Sequence, residues 1–127
     1  MKDGGLMSND IFEQGDIIYA DAEPHSGHEI GGHNPQEENI RRPFVVISKK
    51  SFNRVSGVAF CIPITHNIYK NRPGFIPYID IKSKIEGSLI IFKPVVYDLA
   101  SRNAKAIGHV NDGKLLKKVI SRMKQCF

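Results

Sequence analysis

The sequence predicts a mainly β fold of the α+β class, in which an antiparallel sheet or small barrel is followed by a C-terminal α-helix. From Gly15 to about Val110, short runs of β-branched and aromatic residues are separated by Gly, Pro and Asn, which is typical of strands joined by turns. The runs are too closely spaced for crossover helices between them, which argues against a doubly wound α/β fold. Residues 111–127 carry a helical pattern instead.

Six segments are predicted to form strands, with no internal repeat or low-complexity tract among them. They read "DIIYADA", "PFVVISKKSF", "GVAFCIPIT", "GFIPYIDI", "GSLIIFKPVVYDL" and "NAKAIGHV". A polar connection, roughly Glu23 to Arg41, follows the first of them. Connections of this length within a compact domain are more often functional or mobile than without a role.

The C-terminal segment predicts one amphipathic helix packed on the β core. Its apolar residues recur at helical spacing, and lysines lie between them on the expected solvated face. Asn111 or Asp112 can cap the first turn. The apolar set is Leu115, Leu116, Val119, Ile120 and Met123, and the lysines are Lys114, Lys117, Lys118 and Lys124.

Length and composition indicate one small domain. The chain has 127 residues, of which 41% are hydrophobic, enough for a single modest core. We expect residues 1–10 to form a flexible tail and residues 11–127 to form the domain. The first ten residues lack the apolar core of a secretory signal, and no later apolar run is long enough to cross a bilayer, so we expect a cytoplasmic protein without a membrane partner.

Charge and cysteine content indicate the kind of partner and the cellular compartment of the protein. The 18 Lys and Arg residues exceed the 13 Asp and Glu residues, giving a net charge of +5, which favours a polyanionic partner. Cys61 lies in an apolar run and Cys126 near the chain end, so they provide neither a metal-ligand spacing nor a disulfide framework. A reduced, intracellular protein is the expectation.

Several kinds of catalytic site are disfavoured. No G-x-S-x-G, Walker or G-x-G-x-x-G signature is present, and the Cys61 thiol is expected to be buried and inert. His25, His28, His33 and Glu29 are ligand types that zinc uses, but their spacing is not a recognised zinc pattern and their loop is rich in glycine. We therefore predict no metal site.

Phosphodiester chemistry on RNA suits a small basic β domain, because the RNA supplies its own nucleophile, the 2′-hydroxyl group. The protein then needs a cation for the charge on phosphorus, a donor to a phosphate oxygen, and groups that accept and donate protons. Arg42, Thr65, Glu29 and a histidine are candidates for these roles.

Four motifs in one order carry a resemblance to a known family. They are "GDIIYADAEP" at Gly15, "GHE" at Gly27, "RPFVVIS" at Arg42 and "IPIT" at Ile62. In these motifs the chain resembles the MazF/PemK/Kid toxins. The resemblance implies an SH3-like small barrel with a C-terminal helix, and a sequence-selective endoribonuclease, or mRNA interferase, of a bacterial toxin-antitoxin system. Such an enzyme needs no metal or other cofactor and leaves 2′,3′-cyclic phosphate and 5′-hydroxyl ends.

The resemblance also implies partners. They are single-stranded mRNA, a second copy of the chain in a homodimer, and a cognate antitoxin whose acidic, disordered segment lies over the basic RNA groove. Operator DNA is expected as a partner only through the complex with the antitoxin.

Carried over residue by residue, the family's functional arginine and threonine fall on Arg42 and Thr65, and the glutamate of its G-x-E loop falls on Glu29. We predict these three to be catalytic. The predicted RNA-binding residues are His33, Arg41, His66, Asn67, Lys70 and Arg72, while Phe52, Tyr69 and Phe75 are candidates for stacking on bases.

The chain departs from the family pattern in two places. Asn34 to Arg41 form an insertion before the "RP" motif, which affects Glu29 and His33 more than Arg42. At Ile90 to Lys93, where some members carry an arginine, aspartate or glutamine, this chain has "IIFK". A mechanism that needs an acid in that stretch does not apply here.

Two other functions remain compatible with the fold. SH3-like barrels also include non-catalytic modules that bind peptides or nucleic acids. A related toxin family shares the fold but poisons DNA gyrase. The pair Arg42 and Thr65 argues against both alternatives.

Overall fold

The computed structural model of the protein describes residues 11–22 and 40–125. The predicted tail 1–10, the predicted catalytic Glu29, the predicted RNA contact His33 and the disfavoured histidine metal group therefore lie outside the described residues. The strands are Asp16–Asp21 (β1), Arg41–Val46 (β2), Ala59–Thr65 (β3), Phe75–Asp80 (β4), Ile85–Ile90 (β5), Val95–Tyr97 (β6) and Lys105–His109 (β7), and the helices are Lys50–Ser56 (α1) and Gly113–Lys124 (α2).

The strands form one antiparallel sheet in the order β4-β5-β3-β2-β1-β7. Strand β3 is shared, because β5 pairs with its last two residues and β6 with its first three. The sheet curls until its two ends meet. A methyl group on Gly108 of β7 would lie 3.0 Å from Ser83 Cβ and 3.3 Å from an Asp80 carboxylate oxygen at the end of β4.

Apolar residues cover both faces of the central strands. Consecutive residues of a strand point to opposite faces, so Ile17 and Val45 belong to one buried cluster and Ile18 and Val46 to the other. Helix α2 covers the first cluster with Val119 and Met123. Two-sided burial explains why these strands read as nearly continuous apolar runs.

Helix α2 begins as predicted. The Asp112 side chain accepts hydrogen bonds from the backbone N–H groups of Lys114, at 2.9 Å, and Leu115, at 3.2 Å. These bonds satisfy two donors that have no partner within the helix. The four lysines assigned to the solvated face are exposed. No helix within the described ranges is long and apolar enough to span a membrane.

Helix α1 was not predicted, because its sequence was included in the strand segment "PFVVISKKSF". The strand ends at Val46, and the chain turns into a helix around the buried Asn53. The Asn53 amide donates to the Phe12 carbonyl oxygen at 2.8 Å and accepts from the Ser48 hydroxyl at 2.5 Å. Gly57, at φ 79°, ends the helix in the left-handed conformation. The contact with Phe12 is tertiary, so local sequence does not reveal it.

Cys61 is buried within the second apolar cluster, as predicted. Burial raises the pKa of its thiol from 9.0 to about 12. The thiol therefore stays protonated and unreactive in the folded protein at neutral pH.

We predict that Cys61 makes stability fall in alkaline solution. The unfolded chain loses the thiol proton near pH 9 and the folded chain near pH 12, so the unfolded state gains free energy of ionisation first as the pH rises. At pH 10.5 this loss amounts to about 1–2 kcal/mol. Urea unfolding of wild type and Cys61→Ala at pH 8 and pH 10.5 measures it. Wild type should lose more stability than the variant over this interval, and equal losses would contradict the assignment.

Candidate active site

Arg42 and Thr65 lie on the same face of neighbouring strands. In the pairing of β2 with β3, Phe44 is opposite Pro63. This is the last pair of the ladder, and extending its alternation by two residues on each strand puts Arg42 and Thr65 on the same side as Phe44 and Pro63. Opposed residues of antiparallel strands project to the same side of the sheet. The strand alternation therefore directs to one side the two residues that the sequence resemblance singled out.

Both residues line one cavity of about 250 Å³. Its charged groups are three permanent cations and a single carboxylate among the described lining residues. The cavity lies beside the first residues of β2 and the last residues of β3. Its lining consists of Tyr19, Arg41, Arg42, Pro43, Ile64, Thr65, His66, Lys84, Ile85 and Glu86.

The end of β3 is held against β5 by backbone packing. Gly87 approaches so closely that a methyl group there would lie 1.8 Å from the Thr65 carbonyl oxygen and 3.0 Å from His66 Cα. The neighbouring Ser88 hydroxyl accepts a hydrogen bond from Tyr69 N–H at 3.0 Å, which anchors the segment after Thr65. Asn67 N–H donates to the Thr65 hydroxyl oxygen at 3.3 Å. A backbone N–H group of the loop after β3 thus orients the threonine hydroxyl.

The two adjacent arginines have different surroundings. The Arg41 guanidinium pairs with the Asp21 carboxylate at 2.8 Å and also donates to the carbonyl oxygens of Tyr19 and Asn103, at 3.2 and 2.9 Å. Arg42 is exposed, and within the described part of the chain its side chain has no hydrogen-bond or ion-pair partner. Arg41 therefore joins strands β1 and β2 to the turn before β7, while Arg42 is available to a ligand.

A second cationic cavity, of about 630 Å³, lies between the start of β4 and helix α2. Lys70 and Arg72, both predicted to bind RNA, line it together with Lys118 and Arg122 of the helix. The Arg72 guanidinium lies over the rings of Tyr69 and Phe75, 4.8 and 5.2 Å from their centroids. Four cations and an aromatic surface fit a nucleotide chain.

The two cavities lie along the same strand pair. Phe75, in the second cavity, is opposite Ile90, whereas Ile79 is opposite Glu86 of the first cavity. Four residues of strand separate these positions, about 13 Å. The described part of the predicted site therefore forms two cationic regions joined by the sheet, with Asn67 in the segment that connects β3 to Lys70.

Sequence reasoning missed the contributions of Tyr19, Lys84, Glu86 and Arg122, and it placed Lys118 on the solvated face of the helix. Glu86 did carry a signal, since a charged residue in "KIEGSLI" interrupts an otherwise apolar strand. Lys84 sits in the turn between β4 and β5 at φ 60°, an uncommon conformation outside glycine and asparagine. Phe52 packs on Phe60 with ring centroids 5.5 Å apart, and it lines neither cationic cavity.

Another group of ligand-type side chains has a structural role. Glu13, Asp16 and His109 place one potential metal-ligand atom each within 4.8 Å of one another. His109 Nδ1 contacts an Asp16 carboxylate oxygen at 2.8 Å, and the other Asp16 oxygen accepts from Glu13 N–H at 2.8 Å. These contacts already use both Asp16 oxygens and tie β7 to β1.

A curled antiparallel sheet with a cationic cavity around an arginine–threonine pair defines a small β-barrel protein suited to a polyanionic ligand. Comparison with known proteins then gives its family. The chain belongs to the PemK-like, MazF-like toxins of type II toxin-antitoxin systems, whose family model matches residues 13–127.

Similar curated proteins are endoribonuclease toxins. The chain is 29% identical over 109 residues to the endoribonuclease toxin ChpB of Escherichia coli K12, covering 84% of this chain and 87% of ChpB. It is 33% identical over 60 residues to the endoribonuclease toxin MazF of the same organism, covering 47% of each chain.

Solved structures share the fold. MazF of Deinococcus radiodurans superposes with a TM-score of 0.72 at 21% identity, over 91% of this chain and 96% of that one. A MazE–MazF complex from the same organism has a TM-score of 0.72 at 19% identity, over 91% and 95%. A mycobacterial endoribonuclease in complex with its cognate antitoxin has a TM-score of 0.62 at 11% identity, over 89% and 91%. These likenesses confirm the predicted small barrel with a C-terminal helix.

We predict that Gly87→Ala displaces the end of β3 and lowers stability by about 1–3 kcal/mol, because the new methyl group meets backbone that cannot move alone. Amide NMR shifts of Thr65 and His66, together with thermal unfolding, measure both effects. Gly113→Ala is the matched control, since a methyl group there meets nothing within 4 Å. A Gly87→Ala protein with wild-type shifts and melting temperature would show that the contact at Gly87 does not set the geometry.

Proposed function

We propose that this chain is a sequence-selective endoribonuclease toxin, an mRNA interferase, that cleaves single-stranded RNA without a metal ion or other cofactor. The family match and the endoribonuclease relatives support the activity. The observation that carries the assignment to a site is that Arg42 and Thr65 line one cationic cavity.

The proposed reaction uses the RNA's own 2′-hydroxyl as nucleophile. The O2′–P bond forms and the P–O5′ bond breaks, which leaves a 2′,3′-cyclic phosphate and a 5′-hydroxyl end. Arg42 stabilises the negative charge that grows on the phosphate oxygens, and its planar guanidinium can contact two of them at once. The Thr65 hydroxyl donates a hydrogen bond to an oxygen of the same phosphate group.

RNA flanking the scissile phosphate is proposed to follow the sheet from the first cavity to the second. Lys70, Arg72 and Lys118 would contact phosphates, and the half-buried rings of Tyr69 and Phe75 would stack on unpaired bases. His66 and Asn67 flank Thr65 on this path. The roles of Glu29 and His33 rest on the sequence resemblance alone.

We propose the same partners that the sequence predicts: a second copy of the chain in a homodimer, with residues 11–127 as the toxin domain, and a cognate antitoxin. Solved relatives that include toxin–antitoxin complexes support the antitoxin. The net charge of +5 and the two cationic cavities suit an acidic, disordered antitoxin segment. Operator DNA would be bound only through that complex, and the enzyme would act on mRNA in the cytoplasm.

We predict that purified protein cleaves single-stranded RNA in the presence of EDTA, and that Arg42→Ala lowers the single-turnover rate by about 10²–10³. Arg42→Lys should recover part of the loss, because an ammonium group keeps the charge without the bidentate geometry. Gel analysis of an end-labelled RNA measures the rates. Binding without cleavage by wild type would instead favour a non-catalytic module, and wild-type cleavage by Arg42→Ala would remove Arg42 from the mechanism.

Arg41→Ala provides the contrasting variant. Its loss removes the Arg41 guanidinium from the buried Asp21 carboxylate, to which the Asn103 amide still donates, so we expect stability to fall by about 1–3 kcal/mol. Arg42→Ala should stay within about 0.5 kcal/mol of wild type. Urea unfolding measures both. If Arg41→Ala is as stable as wild type and inactive, Arg41 rather than Arg42 contacts the scissile phosphate.

RNA affinity should depend steeply on salt, because phosphate contacts release counterions. Measured in the inactive Arg42→Ala background by fluorescence anisotropy, Arg72→Ala or Lys118→Ala should each lower the slope of log affinity against log salt by about 0.7. Lys50→Ala, on α1 and in neither cationic cavity, is the control and should leave the slope unchanged. An unchanged slope in both cavity variants would exclude the second cavity from the RNA path.

A further inference from the structure

Glu86 projects into the site from a third strand. In the pairing of β3 with β5, Thr65 is opposite Ser88. Glu86 lies two residues before Ser88 on the same strand, so its side chain is on the same face as Ser88 and Thr65. By the register of β2 and β3, Arg42 shares this face. Three adjacent strands thus direct an arginine, a threonine and a glutamate toward the 250 Å³ cavity.

The part of the cavity lined by described residues contains few groups that can accept a proton. A guanidinium has no acceptor site, and a threonine hydroxyl is a poor base at neutral pH. Of the described lining residues, Glu86 and His66 are the two that can act as a base. The stretch Ile90–Lys93 of the same region supplies no acid.

We propose that Glu86 is a catalytic residue, the general base that removes the proton from the attacking 2′-hydroxyl group of RNA. This inference rests on the proposed ribonuclease function. As the O2′–P bond forms, the 2′-hydroxyl proton passes to the Glu86 carboxylate. As the P–O5′ bond breaks, the leaving 5′-oxygen takes a proton from the protonated His66 imidazole. Exchange with water afterwards returns both side chains to their starting states.

The charges around Glu86 suit this role. Arg41 and Arg42 come from β2, Lys84 from the turn before β5, His66 from the end of β3 and Tyr19 from β1, while Ile79, opposite Glu86 on β4, is uncharged. A carboxylate would otherwise repel the RNA phosphate. Because Arg41 is already paired with Asp21, the permanent cations Arg42 and Lys84 are the ones that offset this repulsion and allow both anions to approach.

The first test compares Glu86→Gln with wild type at saturating RNA under single-turnover conditions. We expect the rate to fall by about 10²–10³ with RNA affinity within a few-fold of wild type, because the amide keeps the shape but accepts no proton. The rise of rate with pH on the acidic side of the profile, which reports ionisation of the base, should also disappear. Glu13→Gln, in an exposed turn outside the cavity, is the matched control and should behave as wild type.

The second test separates a base from an acid. An RNA with sulfur in place of the 5′-bridging oxygen has a leaving group that needs no protonation. This substrate should restore the rate of His66→Ala, and it should leave Glu86→Gln slow. A circular dichroism melt of each variant at the assay temperature confirms that it is folded.

The remaining outcomes each decide the question. If wild-type protein is active and Glu86→Gln has the same rate and pH profile, this inference is overturned and the proposed function stands. Rescue of Glu86→Gln by the sulfur-containing substrate would make Glu86 the acid and overturn its role as base. A change in the cleaved sequence without loss of the acidic limb would make Glu86 a base-reading residue and also overturn it. Inactive wild-type protein would remove the proposed function itself.

Discussion

The close contact between Gly87 and the backbone at the end of β3 is the constraint on which the candidate site depends. Because the residue lacks a side chain, β5 can approach until its backbone touches the Thr65 carbonyl oxygen. That approach fixes Thr65 and His66 against the strand that carries Glu86. It also places Ser88 where its hydroxyl holds the chain after Thr65. A wider separation of the two strands would leave the threonine on one surface and the carboxylate on another.

Strand alternation explains how two neighbouring arginines acquire different roles. Arg41 is opposite Asp21 and forms an ion pair with its carboxylate. This arginine therefore links β2 to β1 and to the turn before β7. Arg42 points to the other side, in line with Phe44 and with Thr65 on the next strand. The apolar residues that follow Pro43 are buried, so the strand cannot rotate to exchange the two. Rigid packing behind a cation is what allows it to be preorganised for a transition state.

Much of the fold was accessible from sequence because it follows local rules. The spacing of apolar residues and a capping aspartate predicted α2, and the alternation of apolar runs with turn residues predicted the strands. Helix α1 was missed because it depends on the hydrogen bond of Asn53 to Phe12, more than 40 positions away. Only part of the site was predicted, because the rest of it also depends on tertiary contacts. Motifs identified Arg42 and Thr65, whereas Glu86 and Lys118 became site candidates only once strand register and helix packing were known.

The absence of an acid from Ile90–Lys93 need not deprive this barrel of a base. Residues 86, 88 and 90 of β5 project to the same face of the sheet as Thr65. A carboxylate at position 86 and one at position 90 would therefore lie on either side of Ser88, the residue opposite Thr65. In this chain residues 90–92 are apolar, and Phe92 packs on Phe75 with ring centroids 5.4 Å apart. That packing extends the aromatic surface beside Arg72 at one end of the strand. The proton acceptor can then lie at the other end, next to Arg42, so that base stacking and proton transfer occupy separate ends of one strand.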